Sequence, residues 1–367
     1  MYKRLLLLNG LAIFAVVCNH AGGWGQISLF WWADSIRPVV VPDWTQLGTL
    51  PYYFLLAIRQ IAMFCVPAFF FVSGFFVSYA ALDKRNPLNF NFVWKRIKTL
   101  LIPYLIWSTV VILGDLLQGN NHSTLEYMLL IVTFGVADPY WFIPALLYSY
   151  LISPIIVRLV QWNWKLVLAI SGLIQLILVL IGALGYAGIK WPWTTFISSL
   201  FPSWSPFPWL FFFTLGISAG FHIIGLAQWL MKFRTVLFLL VLLTGFLNIL
   251  ESDYLYRSPV HYPSASIGTI TYYLYATTFI LWFLALSVVP LSKQLAQLGV
   301  KSYGIYLLHY PIIEFTARSI NKYIPQLLAY PIVFFLLLVL VSLGLPLIIM
   351  GAFRKSPMKQ YYQYLFS

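Results

Sequence analysis

The stretch Leu5–His20 is an almost unbroken apolar run, and runs of similar length recur along all 367 residues. A hydrocarbon layer is crossed by about twenty apolar residues in helical form. No water is available there to satisfy backbone amides, so a spanning segment must pair its own. Only 8% of the residues are charged, against roughly a quarter in a soluble domain, and mean hydropathy is +0.86. Those values exclude a soluble domain carrying one anchor. The pattern predicts an all-α, polytopic transmembrane helix bundle of about ten spans, near 5–24, 52–80, 99–118, 141–160, 165–187, 205–225, 235–250, 266–288, 302–320 and 327–350. No small-residue cleavage site follows the first run, so it reads as a retained helix. No low-complexity linker divides the chain, and residues 1–367 read as one domain.

The net charge of +13 invites a nucleic-acid reading, but the basic residues fall between the apolar runs. That arrangement orients a membrane protein. Lys3, Arg4, Lys84, Arg85, Lys95, Arg96, Lys98, Arg158, Lys165, Lys232, Arg234, Lys293, Lys301, Arg354, Lys355 and Lys359 share one side if spans alternate. Both termini are therefore expected in the cytoplasm of a cell-membrane protein whose surroundings are lipid, with no nucleic-acid partner. Cys18 and Cys65 lie inside expected spans and form no motif.

Polar residues inside spans need a reason to be there. Asn9 and His20 are about three turns apart and share one helix face, with Asn19 adjacent. Arg59 lies within the second span, either paired inside the bundle or reaching to the interface. Pro67, further along, should kink that span. The loop 23–51 mixes Trp24, Trp31, Trp32 and Trp44 with prolines. It serves as an interfacial aromatic belt or as a sugar-binding platform. The segment 82–98 is the densest basic patch, read as topology with lipid phosphate or as a site for an anionic cytoplasmic ligand. Asp138-Pro-Tyr-Trp141 opens the fourth span. In the ninth, Ser302, Tyr306 and His309 lie near one face, and Glu314 follows. His309 reads as an interhelical hydrogen-bonding residue or as a chemical one.

Four stretches, in this order, resemble the acyltransferase 3 family of integral-membrane acyltransferases. They are Asn9-Gly10…His20; Pro67-Ala-Phe-Phe-Phe-Val-Ser73-Gly74; Arg96-Ile-Lys98-Thr-Leu-Leu-Ile-Pro103-Tyr104 with Tyr140-Trp141-Phe142; and Ser302-Tyr303…Tyr306…His309…Pro311. The resemblance implies transfer of an acyl group, often acetyl, from cytoplasmic acyl-CoA to a hydroxyl, usually of a glycan or lipid-linked sugar at or beyond the outer face. It makes His20 the catalytic histidine. Asn9 stands where the family carries an arginine, and Thr99 stands at the second arginine of its Arg-x-x-Arg.

Acyl transfer to a hydroxyl needs a base, and imidazole suits that role near neutral pH. His20, His309 and Tyr306 are the candidate catalytic residues. Tyr306, Asn19 or Arg59 would donate to the oxyanion. Arg59, Asn9, Asn19, Trp141, Ser302 and Glu314 are the candidate substrate-binding residues. Lys95, Arg96 and Lys98 are candidates for the donor's phosphates. No nucleophilic-serine motif, metal-ligand cluster or Gly-rich phosphate loop stands out, so direct transfer without a metal is expected. A transporter of a small acylated or anionic solute, and a membrane scaffold without catalysis, are the competing readings.

Overall fold

The computed structural model describes residues 2–82, 90–117, 123–186, 189, 191–258 and 268–366. Asp83, Lys84, Arg85 and Lys190 lie outside the described residues. The described chain is helical, without a strand among those residues. Its α-helices are α1 (Tyr2–Phe30), α2 (Leu50–Ala62), α3 (Cys65–Leu82), α4 (Phe90–Leu117), α5 (Thr124–Val132), α6 (Phe142–Tyr186), α7 (Pro192–Leu200) and α8 (Leu210–Phe221). They continue as α9 (Ile223–Lys232), α10 (Arg234–Arg257), α11 (Ile270–Ala285), α12 (Ser292–Val300), α13 (Ser302–Tyr323), α14 (Pro331–Lys355) and α15 (Tyr362–Phe366).

Among the described residues six helices are long and apolar enough to cross a membrane, or seven if the pair α8–α9, bent by 103°, counts as one span. That is fewer than the ten expected, for physical reasons. Asp138–Gly185 forms one 48-residue helical stretch. Its backbone leaves helical geometry at Asn163, φ −154° and ψ 87°, so the two apolar runs meet at a bend and not across a loop. Helix α11 is apolar but has only 16 residues. Helix α13 ends in the polar stretch Arg318–Lys322.

Helix α1 lies at the centre, packed on α2, α3, α12, α13 and α14. Outer helices show lipid-type faces: Leu239, Leu242 and Phe246 on α10, and Leu336, Leu340 and Ile348 on α14, are exposed. Large apolar faces of that kind mark a surface that meets something other than water. Small residues let backbones touch where helices cross. A Cβ on Gly10 would come 1.9 Å from the Leu295 carbonyl oxygen of α12, and one on Gly299 would come 2.2 Å from that of Leu6.

Breaks and prolines leave carbonyls without their helical partners, and distant side chains satisfy them. The second span breaks between α2 and α3, at Met63–Phe64. The Ile61 carbonyl accepts from the Tyr275 hydroxyl at 2.9 Å, and the Gln60 carbonyl from Asn248 Nδ2 at 3.3 Å. In α13, Pro311 has no N–H for the Leu307 carbonyl. The fully buried Tyr140 donates its hydroxyl to that oxygen at 2.8 Å. At the α2–α3 break, Met63 and Cys65 border a cavity.

Candidate active site

The cavity holds about 360 Å³ and lies between the second half of α1, the α2–α3 break, the start of α6 and α13. His20 and Asn19 line it from α1, because residues 16, 19, 20, 23 and 27 fall on one helix face. The break supplies Met63, Cys65, Val66 and Phe69 to the wall.

His20 meets a second imidazole. Its ring centroid is 5.3 Å from that of His309 and 5.2 Å from the Tyr310 ring. His309 is fully buried, and its Nδ1 lies 2.7 Å from the Tyr306 carbonyl oxygen. A carbonyl only accepts, so that nitrogen carries the proton and Nε2 presents a lone pair. Nε2 is buried and makes no hydrogen bond among the described residues. The two imidazoles are ring neighbours, with no hydrogen bond from His309 Nε2 to His20.

Arg59 turns inward to α1. Its Nε donates to Asn19 Oδ1 at 3.3 Å, and its Nη1 to Gln26 Oε1 and, at 3.5 Å, to the Tyr256 hydroxyl. Tyr256 donates in turn to Gln26 Oε1 at 2.6 Å. Gly22 makes room for this arm, since a Cβ there would sit 2.7 Å from Arg59 Cγ. Gln26 Nε2 is buried and has no hydrogen-bond partner among the described residues. A cation in apolar surroundings is expensive unless several dipoles face it, which these three acceptors do.

Aromatic rings form the remaining wall. Trp141 stacks on Trp209 at 5.4 Å and 23°, and Trp24, Trp31 and Trp44 close the opposite side. Trp44 is held by the loop between α1 and α2. There the buried Asp43 accepts from Thr45 Oγ1 at 2.5 Å, from Gln46 Nε2 at 3.2 Å and from Arg37.

The other sequence candidates fall elsewhere. Asn9 Nδ2 donates to Ser302 Oγ at 2.9 Å and to the Gly299 carbonyl at 3.3 Å, so these two residues tie α1 to the α12–α13 junction and do not line the cavity. Glu314 accepts from Arg318 at 2.8 Å on an exposed face, and Arg318 covers the back of Trp24 at 5.5 Å. Tyr306 lines the cavity, but its hydroxyl donates to the Pro139 carbonyl.

The basic candidates border a second cavity of about 510 Å³, lined by Lys95 and Lys98 with Trp94, Thr99 and Pro103. Lys98 Nζ sits 5.3 Å over the Trp94 ring, while Arg96 lies outside the lining and stacks on Phe92 at 5.3 Å. Tyr303 connects the two regions. Its hydroxyl donates to the Leu100 carbonyl of α4, and its ring stacks on Tyr306 at 6.1 Å. Among the described residues no cluster of three or more His, Cys, Asp or Glu is placed to hold a metal.

Sequence reasoning missed Gln26, Tyr256 and Tyr310. Gln26 lies seven residues after Asn19, on the same face, but beyond the expected end of the first span. Helix α1 continues to Phe30. Tyr256 was hidden in the same way, because α10 continues to Arg257 through Glu251 and Asp253. Those carboxylates are taken up by Thr271 and by the Tyr52 hydroxyl, the latter at 2.7 Å.

No curated protein and no solved structure matches this chain. A family model described as an acyltransferase domain matches residues 3–351, which contain both cavities except the part of the second formed by Gln363 and Tyr364. The chain belongs to the acyltransferase 3 family of integral-membrane acyltransferases.

Proposed function

We propose that this protein moves an acyl group, acetyl in the simplest case, from acyl-CoA held at the basic cavity to a hydroxyl of a glycan or lipid-linked sugar in the aromatic cavity. The observation that carries this reading is His20 in the cavity wall, against the ring of the partly unpartnered His309, with Arg59 lining the same cavity. His20 takes the acceptor's proton as its oxygen attacks the thioester carbonyl. Arg59 and Asn19 are the better oxyanion donors, because the Tyr306 hydroxyl is already committed to Pro139. The C–S bond then breaks, and the imidazolium returns its proton to the departing thiolate. Tryptophan faces suit the apolar faces of a sugar ring, and the free amide hydrogens of Gln26 suit its hydroxyls.

The basic residues between the apolar runs, Lys95, Arg96 and Lys98 among them, orient the bundle with both termini cytoplasmic in the cell membrane. A cysteine replacing Lys359 should react with an impermeant maleimide only after cells are lysed. Ready labelling of intact cells would overturn that orientation.

The broken α2–α3 helix lining the cavity favours a second reading, a transporter of an acylated or anionic solute. Detergent-purified protein separates the two, since no gradient exists across a micelle. With labelled acetyl-CoA and a saccharide acceptor, an acyltransferase releases CoA over many turnovers. Acceptor-independent binding with no CoA release would favour transport.

A further inference from the structure

The second cavity is completed by a segment beyond the family-matched residues. Helix α15 sets Gln363 and Tyr364 against Lys95, Lys98 and Trp94. A five-residue helix has little stability of its own, so its position must come from anchoring. The anchor is Phe366, which is 2% exposed. Its ring packs on Trp107 at 5.7 Å, on Phe353 at 5.5 Å and on Tyr362 at 5.2 Å. Trp107 Nε1 also donates to the Leu365 carbonyl at 2.8 Å. Gly304 leaves room for the ring's attachment, because a Cβ there would come 3.0 Å from Phe366 Cβ.

Among the described residues the lining of this cavity has two lysines and no carboxylate. Two ammonium groups in a concave site favour an anion, and phosphate oxygens fit them best. Trp94 is already covered by Lys98, so the ring of Tyr364 is the aromatic face left for a ligand. The Gln363 amide offers both a donor and an acceptor to the edge of a planar heterocycle.

We propose that Gln363 and Tyr364 form the closing wall of a nucleotide pocket, with Lys95 and Lys98 taking the phosphates and the Tyr364 ring stacking on the base. This rests on the acyl-CoA reading above. It makes segment 357–366, and not the family-matched bundle alone, a determinant of donor affinity.

Equilibrium binding of labelled coenzyme A to the full chain in detergent tests it. Tyr364→Ala should weaken binding about tenfold, within the range of one base–aromatic stack, and Tyr364→Phe should stay near parental. Trp107→Phe keeps a ring against Phe366 but removes the bond to Leu365, and should also weaken binding. A cysteine introduced as Gln363→Cys, in a chain whose own Cys18 and Cys65 are buried, should be protected from a maleimide by coenzyme A, a readout that does not depend on an altered affinity. Adenosine 3′,5′-bisphosphate should compete, and phosphatidylglycerol micelles should not.

If Lys95→Ala/Lys98→Ala loses binding while Tyr364→Ala retains it and residue 363 stays reactive, the closing wall is wrong and the donor reading stands. If parental protein binds no coenzyme A, both are wrong. Competition by the lipid and not by the bisphosphate would make this a headgroup site and overturn the inference.

Discussion

Replacing His20 with alanine is expected to lower acyl transfer by about 10²–10⁴-fold, the range for loss of a positioned general base. The expectation rests on position. His20 lines the cavity, and the ring next to it belongs to a buried histidine whose own tautomer is fixed by the Tyr306 carbonyl. Loss of the imidazole removes the proton acceptor but leaves Arg59, Asn19 and the aromatic walls in place. Acceptor binding should therefore survive, so the loss falls on kcat and not on KM. Coenzyme A binding should also survive, because Lys95 and Lys98 border the other cavity. His20→Gln, which keeps a polar side chain of similar reach, should be as inactive as alanine. Monodisperse elution and parental coenzyme A affinity establish that the variants fold. A folded His20→Ala protein with the parental rate would make this histidine structural.

How much of this was legible from residue order varied with the distance over which each group is satisfied. His20, Asn19 and Arg59 stood out because polar groups in apolar runs are costly, and all three do face one cavity. The same reasoning placed Asn9 and Ser302 in the site, yet their needs are met by each other at 2.9 Å. Glu314 likewise finds Arg318 one turn along its own helix. A polar residue announces that it needs a partner without saying which one. The kink expected at Pro67 shows a related limit. The chain breaks just before it, at Met63–Phe64, where Tyr275 and Asn248 from α11 and α10 satisfy the freed carbonyls. Those partners lie about 200 residues away in sequence, beyond any local pattern. Helix α15 is too short to show a period, and its position depends on Trp107 and Gly304.

The second large effect is expected at Gly216, where valine should prevent the bundle from forming. Helices α3 and α8 cross with their backbones in contact. A Cβ on Gly216 would come 2.0 Å from the Phe71 carbonyl oxygen and 2.9 Å from Phe75 N. A Cβ on Gly74 would come 2.1 Å from the Phe213 carbonyl oxygen. The two clashes are reciprocal, so separating the helices at one glycine also opens the other. The opposing atoms are backbone inside regular helices and cannot rotate aside as a side chain would. Neighbouring rings deepen the cost, because Phe70 stacks on Trp209 at 5.5 Å across the same contact. Forced separation should therefore exceed ordinary overpacking and reach at least about 3–5 kcal/mol, a large share of a typical domain's stability. Function would fail with it, since α3 carries Cys65, Val66 and Phe69 into the cavity wall. Two comparisons separate this cause from a general intolerance of change. Gly220→Ala meets the Ser78 hydroxyl, which can turn away, with Ser78 Cβ at 2.9 Å and the Phe75 carbonyl oxygen no nearer than 3.3 Å, and should cost less than the direct backbone clash at Gly216. Gly114→Ala meets nothing within 4 Å and should be neutral or slightly stabilising through helix propensity. Fluorescence-detected size exclusion of the three variants reads the outcome. A monodisperse Gly216→Val protein with parental thermal stability would mean that α3 and α8 do not cross in this contact.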